Sequence, residues 1–175
     1  MSALSLHDHM SDAGLDKWLA QVGVTPAPVP RDNVRTALRF FATHMPTLPP
    51  AMALNFLRAM DLSRPVSAPL LPVGERLIAF RTGSESPFKL FYTRSGASKY
   101  SSGINPAGRS AVHFTVRAPA PALESYTSGV IDVWTVRADD QTLTVAPRAN
   151  SAGVMVAGGG TQLIVPRAPQ VLVVS

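Results

Sequence analysis

The stretch "SRPVSAPLLPVG", residues 63–74, divides the chain into two textures, and that division limits what it can fold into. Before it, apolar residues recur at helical spacing. After it, they recur with period two between Gly, Pro, Ser and Asn. One change of period, from helical to strand-like, reads as α+β: an N-terminal helical segment over 1–66, then a mostly antiparallel β body over 67–175.

In "SDAGLDKWLAQVG", Ser11 or Asp12 can cap a helix that presents Leu15, Trp18, Leu19 and Val22 on one face and ends at Gly23. "TPAPVP" reads as a stiff connector. "RDNVRTALRFFATHM" predicts a second helix capped by Asp32, with Val34, Leu38, Phe41 and Met45 inward. "PPAMALNFLRAMDL" predicts a third, opened by proline. Strands are expected near 75–81, 88–93, 111–117, 130–136, 141–145, 152–157, 161–165 and 171–174. The prolines at 119 and 121 mark a strand exit.

Of the 175 residues, 46% are apolar and 15% charged, enough for a sizeable core. The chain lacks cysteine, which excludes disulfides and thiolate metal sites. No apolar run approaches a membrane span, and "MSALSLHDHM" lacks the order of a classical signal peptide. The net charge of +5 and pI near 10.2 suit an anionic ligand or partner. The arginines are scattered singly and not clustered with aromatics, so nucleic acid is not expected.

Residues that could carry chemistry concentrate in the β half. The four histidines, His7, His9, His44 and His113, lack metal-ligand spacing and a carboxylate cluster, so no metal is expected. "GERLIAFR" carries Arg76 and Arg81, which fall on opposite strand faces. "FKLFYTRSGASKYSSGIN" runs from an aromatic strand into a Ser/Gly-rich loop. There Arg94, Ser95 and Lys99 could hold phosphates; the alternative is a plain surface loop. "LESYTSGVIDVWT" combines Ser125, Thr127, Asp132 and Trp134 in one turn-strand unit; the alternative is a strand with a buried indole. In "VAGGGTQLIVP" three glycines precede Gln162, either as a bulge or as backbone that must approach a ligand closely.

In order and content, "LPVGERLIAF", "APALESYTSGVIDVWT" and "GGGTQLIVP" resemble the bacterial polymorphic toxin type 46 domain. That family's pattern is a basic residue, Ser, Thr, two positions, Pro, two positions, Asp, two positions, Ser or Thr. It is matched at Ser125, Asp132 and Thr135, with Glu124, Tyr126 and Gly129 at the remaining places. "GERLIAF", "FYTRSG" and "GGGTQ" also follow the order of parts in NAD-degrading effectors of the tuberculosis necrotizing toxin kind. The resemblance spans roughly 70–166. The glutamine of that family's Gly-Gly-Gly-x-Gln carries over to Gln162. Its first-strand arginine falls nearest Arg81 by strand face, whereas direct register gives Ala79.

The resemblance implies an ADP-ribosyltransferase-like fold and an interbacterial toxin that hydrolyses NAD(P) at the nicotinamide–ribose bond. NAD is then a substrate, and no cofactor is called for. It also implies delivery into the cytoplasm of a target cell by type VI secretion or an Rhs-type carrier, with a chaperone conceivable, and a cognate immunity protein. Gln162, Arg81, Ser125 and Asp132 become the catalytic candidates. Arg76, Tyr92, Arg94, Ser95, Lys99 and Trp134 become the dinucleotide-binding ones. The chemistry is self-consistent. Nicotinamide leaves a cationic ring as a neutral molecule, so the carboxylic acid that other glycosidases use is dispensable. Arginine forks suit a diphosphate, Trp134, Tyr92 or Phe91 can stack on the ring, and the Gln162 amide can face the cation growing at ribose or orient water. Two further readings stay open: a mono-ADP-ribosyltransferase acting on protein or RNA, and a non-catalytic binding module.

Overall fold

A computed structural model describes residues 11–58, 60–80, 91–94, 111–126, 133–136, 143–146 and 161–174. Three helices come first. In α1 (Asp12–Gln21), the Ser11 side chain accepts from the Gly14 N–H at 3.0 Å, so Ser11 is the cap. Gly23 follows with φ +73°, the left-handed position where a side chain would be strained. Helix α2 (Pro28–His44) starts four residues before the expected cap, Asp32. Pro28 occupies the first turn, where no N–H is needed and a fixed φ is already helical. Of "TPAPVP", only the first half is connector. Asp32 instead pairs with Arg35 at 2.6 Å, one turn along the helix surface. Helix α3 spans Pro50–Arg58.

The faces expected to be inward are inward. Leu15, Trp18, Leu19, Val34, Leu38 and Phe41 are fully buried together with Phe56 and Leu57 of α3. The Phe41 and Phe56 rings lie 5.5 Å apart and tie α2 to α3. Each such side chain stabilises by about 1.5–3 kcal/mol. Across the α1–α2 contact, Arg31 grips Asp16 through both carboxylate oxygens, at 2.7 and 3.2 Å. That hydrogen-bonded fork holds the Asp16 carboxyl below the usual value of 3.8 and raises Arg31 above its own usual value.

The main sheet has six strands in the order β10-β4-β2-β3-β9-β6, every neighbouring pair antiparallel. They are β2 (Arg76–Phe80), β3 (Phe91–Arg94), β4 (Ala111–Val116), β6 (Leu123–Tyr126), β9 (Thr161–Ile164) and β10 (Leu172–Val174). Strands β1 (Leu70–Leu71) and β5 (Ala120–Pro121) pair with each other, and β7 (Val133–Val136) pairs with β8 (Leu143–Ala146) in a separate ribbon. A one-turn helix, α4 (Ala168–Val171), leads into β10. These elements make the fold α+β. The strand expected near 88–93 is described over 91–94, and 88–90 lie outside the described residues. The strand expected near 152–157 lies outside the described residues. Three strands were not anticipated, β1, β5 and β6, and neither was α4.

Two hydrophobic clusters divide the sheet by face. Leu123 and Ile164 join the helices. Leu77, Phe114, Val116, Leu163 and Leu172 form a second cluster with Leu71, Ala120, Ala122 and Val165. The helical segment and the β body therefore meet in one core, through β6 and β9. The stretch joining them is fastened by Asn33. Its amide nitrogen donates to the carbonyls of Leu62 and Arg64 at 2.8 and 2.9 Å, and its oxygen accepts from the Val66 N–H at 3.1 Å. Residues 61–69 then run along the outer edge of β6 and the residues before it. Asp61 N–H donates to Tyr126, Ser67 and Glu124 exchange two bonds, and Ala122 N–H donates to Pro69.

Candidate functional site

Strands β6 and β9 hold the two catalytic candidates that come together. Their register sets Ser125 opposite Gln162, with Tyr126 opposite Thr161 and Glu124 opposite Leu163. Directly opposed residues share a face. Ser125 is 1% exposed, enclosed between β9 and the 61–67 segment. So buried a hydroxyl suits fixing a neighbour better than touching a ligand. Arg64, from that segment, stacks on the Tyr126 ring with its guanidinium 3.5 Å from the centroid, closing this end of the strand pair.

Register extends the comparison across the sheet. Tyr92 is opposite Leu163, Arg94 is opposite Leu77, and Arg76 is opposite Thr115. Because successive residues alternate faces, Gln162, Ser125 and Arg76 occupy one face, and Tyr92 and Arg94 the other. The first face is the helix-covered one at β6 and β9, and it opens toward β2 and β4. There Arg76 and His113 are exposed and Thr115 is half-buried. Trp134 stands apart, opposite Val145 in the β7–β8 ribbon. Arg81, Ser95, Lys99 and Asp132 lie outside the described residues, as do the three glycines before Thr161. The structure thus unites Ser125, Gln162 and Arg76 on one face, and separates Arg76 from Arg94.

Two features went unseen in the sequence. His113 and Thr115 share the open face with Arg76, which only the β2–β4 register reveals. A cleft of about 270 Å³ lies between the end of α2 and the turn after β9, and Thr43, His44 and Arg167 line part of it. Its residues come from three distant segments, and no local pattern announces them. Arg167 has φ +57°, the one non-glycine with positive φ among the described residues. That conformation costs about 1–2 kcal/mol. Among the described residues no cluster of three or more His, Asp or Glu could hold a metal.

Neither a scan against family models nor a search of curated proteins finds a match, so the type 46 resemblance gains no support there. Among solved structures, a chain of the structure of Tse6 in complex with Tsi6 is similar. The TM-score is 0.60 and the identity 20%, over 85% of this chain and 98% of that one. The likeness covers the helical segment as well as the β body and is one of fold.

Proposed function

We propose that the chain is an interbacterial toxin domain of ADP-ribosyltransferase-like fold that hydrolyses NAD(P) to nicotinamide and ADP-ribose. The observation that carries this reading is the Ser125–Gln162 cross-strand pair, set on a sheet face shared with Arg76. The similarity to a chain from the Tse6–Tsi6 complex supports it. On this reading the toxin works in the cytoplasm of a target cell after type VI or Rhs-type delivery. Its producer is protected by an immunity protein that binds this domain.

Each described residue has a distinct task. Arg76, on the open part of the face, offers a guanidinium to the diphosphate. Gln162 sets an uncharged amide beside the glycosidic bond. Its oxygen stabilises charge at the ribose or holds the attacking water, and its nitrogen binds a sugar hydroxyl. Ser125, buried beside it, keeps that strand position fixed. A neutral amide cannot deprotonate an acceptor. The arrangement therefore favours water over a protein nucleophile, and hydrolysis over transfer.

Purified protein incubated with NAD is expected to release free nicotinamide and ADP-ribose in equal amounts. Gln162→Ala should lower the rate about 10²–10³-fold, the scale of losing one preorganised polar contact, while circular dichroism and Tm stay as in the parent. Unchanged turnover in that variant refutes the assignment. Label from NAD appearing on macromolecules, in place of free ADP-ribose, would establish the transferase reading.

A further inference from the structure

The cleft at the end of α2 is distinct from the Ser125–Gln162 pair. None of Ser125, Gln162 and Arg76 is among its lining residues. Its walls are Pro46, Pro119, Pro121, Pro166 and Val171. Proline has no N–H, so the four prolines offer apolar ring surface and no backbone donor, and Val171 adds an isopropyl group. Hydrogen-bond donors in the lining come from Thr43, His44 and Arg167 side chains. The His44 ring is held against Phe40, centroids 4.8 Å apart, and is therefore not free to swing. Arg167 closes the opposite side from a left-handed backbone position that glycine would occupy without strain. An arginine kept there at a conformational cost needs a use for its guanidinium.

We propose that this cleft binds a small organic carboxylate, its planar head on the Arg167 fork with Thr43 and His44 alongside, its apolar body against the proline rings. The head is set by the donors. A guanidinium meets a carboxylate with two parallel bonds, and Arg167 is the one permanent cation among the lining residues, enough to balance one negative charge. A bare dianion such as phosphate would keep an uncompensated charge and leave the prolines uncovered. The volume, about 270 Å³, is just under the range of roughly 300–1,000 Å³ that holds drug-sized molecules, so the ligand is compact. Rigid proline walls lose little freedom on binding, which favours affinity for a small molecule.

Amide chemical shifts of the full chain, followed during titration with benzoate, test this. Benzoate should move the signals of Thr43, His44, Arg167 and Val171 with a Kd of about 1 mM or below, the range of a weak single-site ligand. Acetate (head alone), benzyl alcohol (body alone) and inorganic phosphate should each bind at least tenfold more weakly. Arg167→Gly keeps the backbone conformation, so its Tm should equal or exceed that of the parent while benzoate affinity falls at least tenfold. NAD cleavage should be unchanged in that variant, which separates this site from the proposed catalytic one. The idea fails if benzoate leaves those four amides unmoved, if phosphate binds as tightly as benzoate, or if Arg167→Gly binds benzoate as the parent does.

Discussion

Asn33 offers the most stringent test of how the two halves of the chain are joined. One side chain satisfies three backbone groups of the 62–66 segment, and two of those bonds, to Leu62 O and from Val66 N, are buried. In Asn33→Ala these groups lose their partner. A buried polar group left unsatisfied costs about 1–3 kcal/mol, and the part-buried Arg64 carbonyl can turn to water at less cost. Two buried orphans at the lower half of that range give a loss of about 3 kcal/mol. For a chain of this size 1 kcal/mol moves Tm by about 2–4 °C, so Tm should fall by about 6–12 °C in a thermal melt followed by circular dichroism. Asn33→Asp should be at least as damaging at neutral pH. It keeps the acceptor for Val66 N–H but turns a carboxylate oxygen toward two carbonyls that need donors. The effect should reach the candidate site, because Ser67 pairs with Glu124, the residue before Ser125. On the proposed reading, NAD cleavage in Asn33→Ala should fall well below Tm, at temperatures where helix content is still parental. A Tm shift under about 2 °C would refute the reasoning, because residues 62–66 would then be held by something other than this amide.

Asp16→Asn should flatten the acid limb of the stability curve. The folded carboxyl titrates below 3.8 because of Arg31, so the pair stabilises above the unfolded value and that contribution disappears as pH falls through the lower folded one. Parent and variant should differ at neutral pH and converge in urea melts once the pH has fallen below the lowered folded value of Asp16. Phe41→Ala empties the fully buried contact between α2 and α3 and should cost about 3–5 kcal/mol by urea denaturation.

The helices were legible in the sequence because their signals are local. Leu15, Trp18 and Leu19, or Val34, Leu38 and Phe41, state their own face at a spacing of three or four. The start of α2 was not, because Asp32 followed by an apolar run looks like a cap, whereas Pro28 at the first turn is an equally good start and wins by lengthening the buried face to Pro30. Strand positions were legible from alternation, and β2, β4 and β9 fall where it sets them. Strand β6 was hidden by its prolines. Pro119 and Pro121 looked like an exit, yet Leu123–Tyr126 is a strand whose second edge is occupied by residues 61–67, a pairing across almost sixty residues that no local pattern encodes.

For the site, composition indicated which residue types matter but could not say which share a face, and here the register decides. On the proposed reading, a dinucleotide enters from the open β2–β4 side and spans from Arg76 to Gln162 across β3, two strand spacings or about 10 Å, which suits a diphosphate removed from the scissile bond. Tyr92 and Arg94 occupy the reverse face, the one on which Leu163 and Leu77 are buried. They serve the same ligand only where the sheet edge lets it wrap. On the proposed reading, substitution at Arg76 therefore weakens substrate binding directly, whereas His113 and Thr115, next to it on β4, are positioned to meet the end of the ligand beyond the diphosphate. The requirement follows from alternation alone: a ligand cannot contact Gln162 and Arg94 through the same face of one flat sheet.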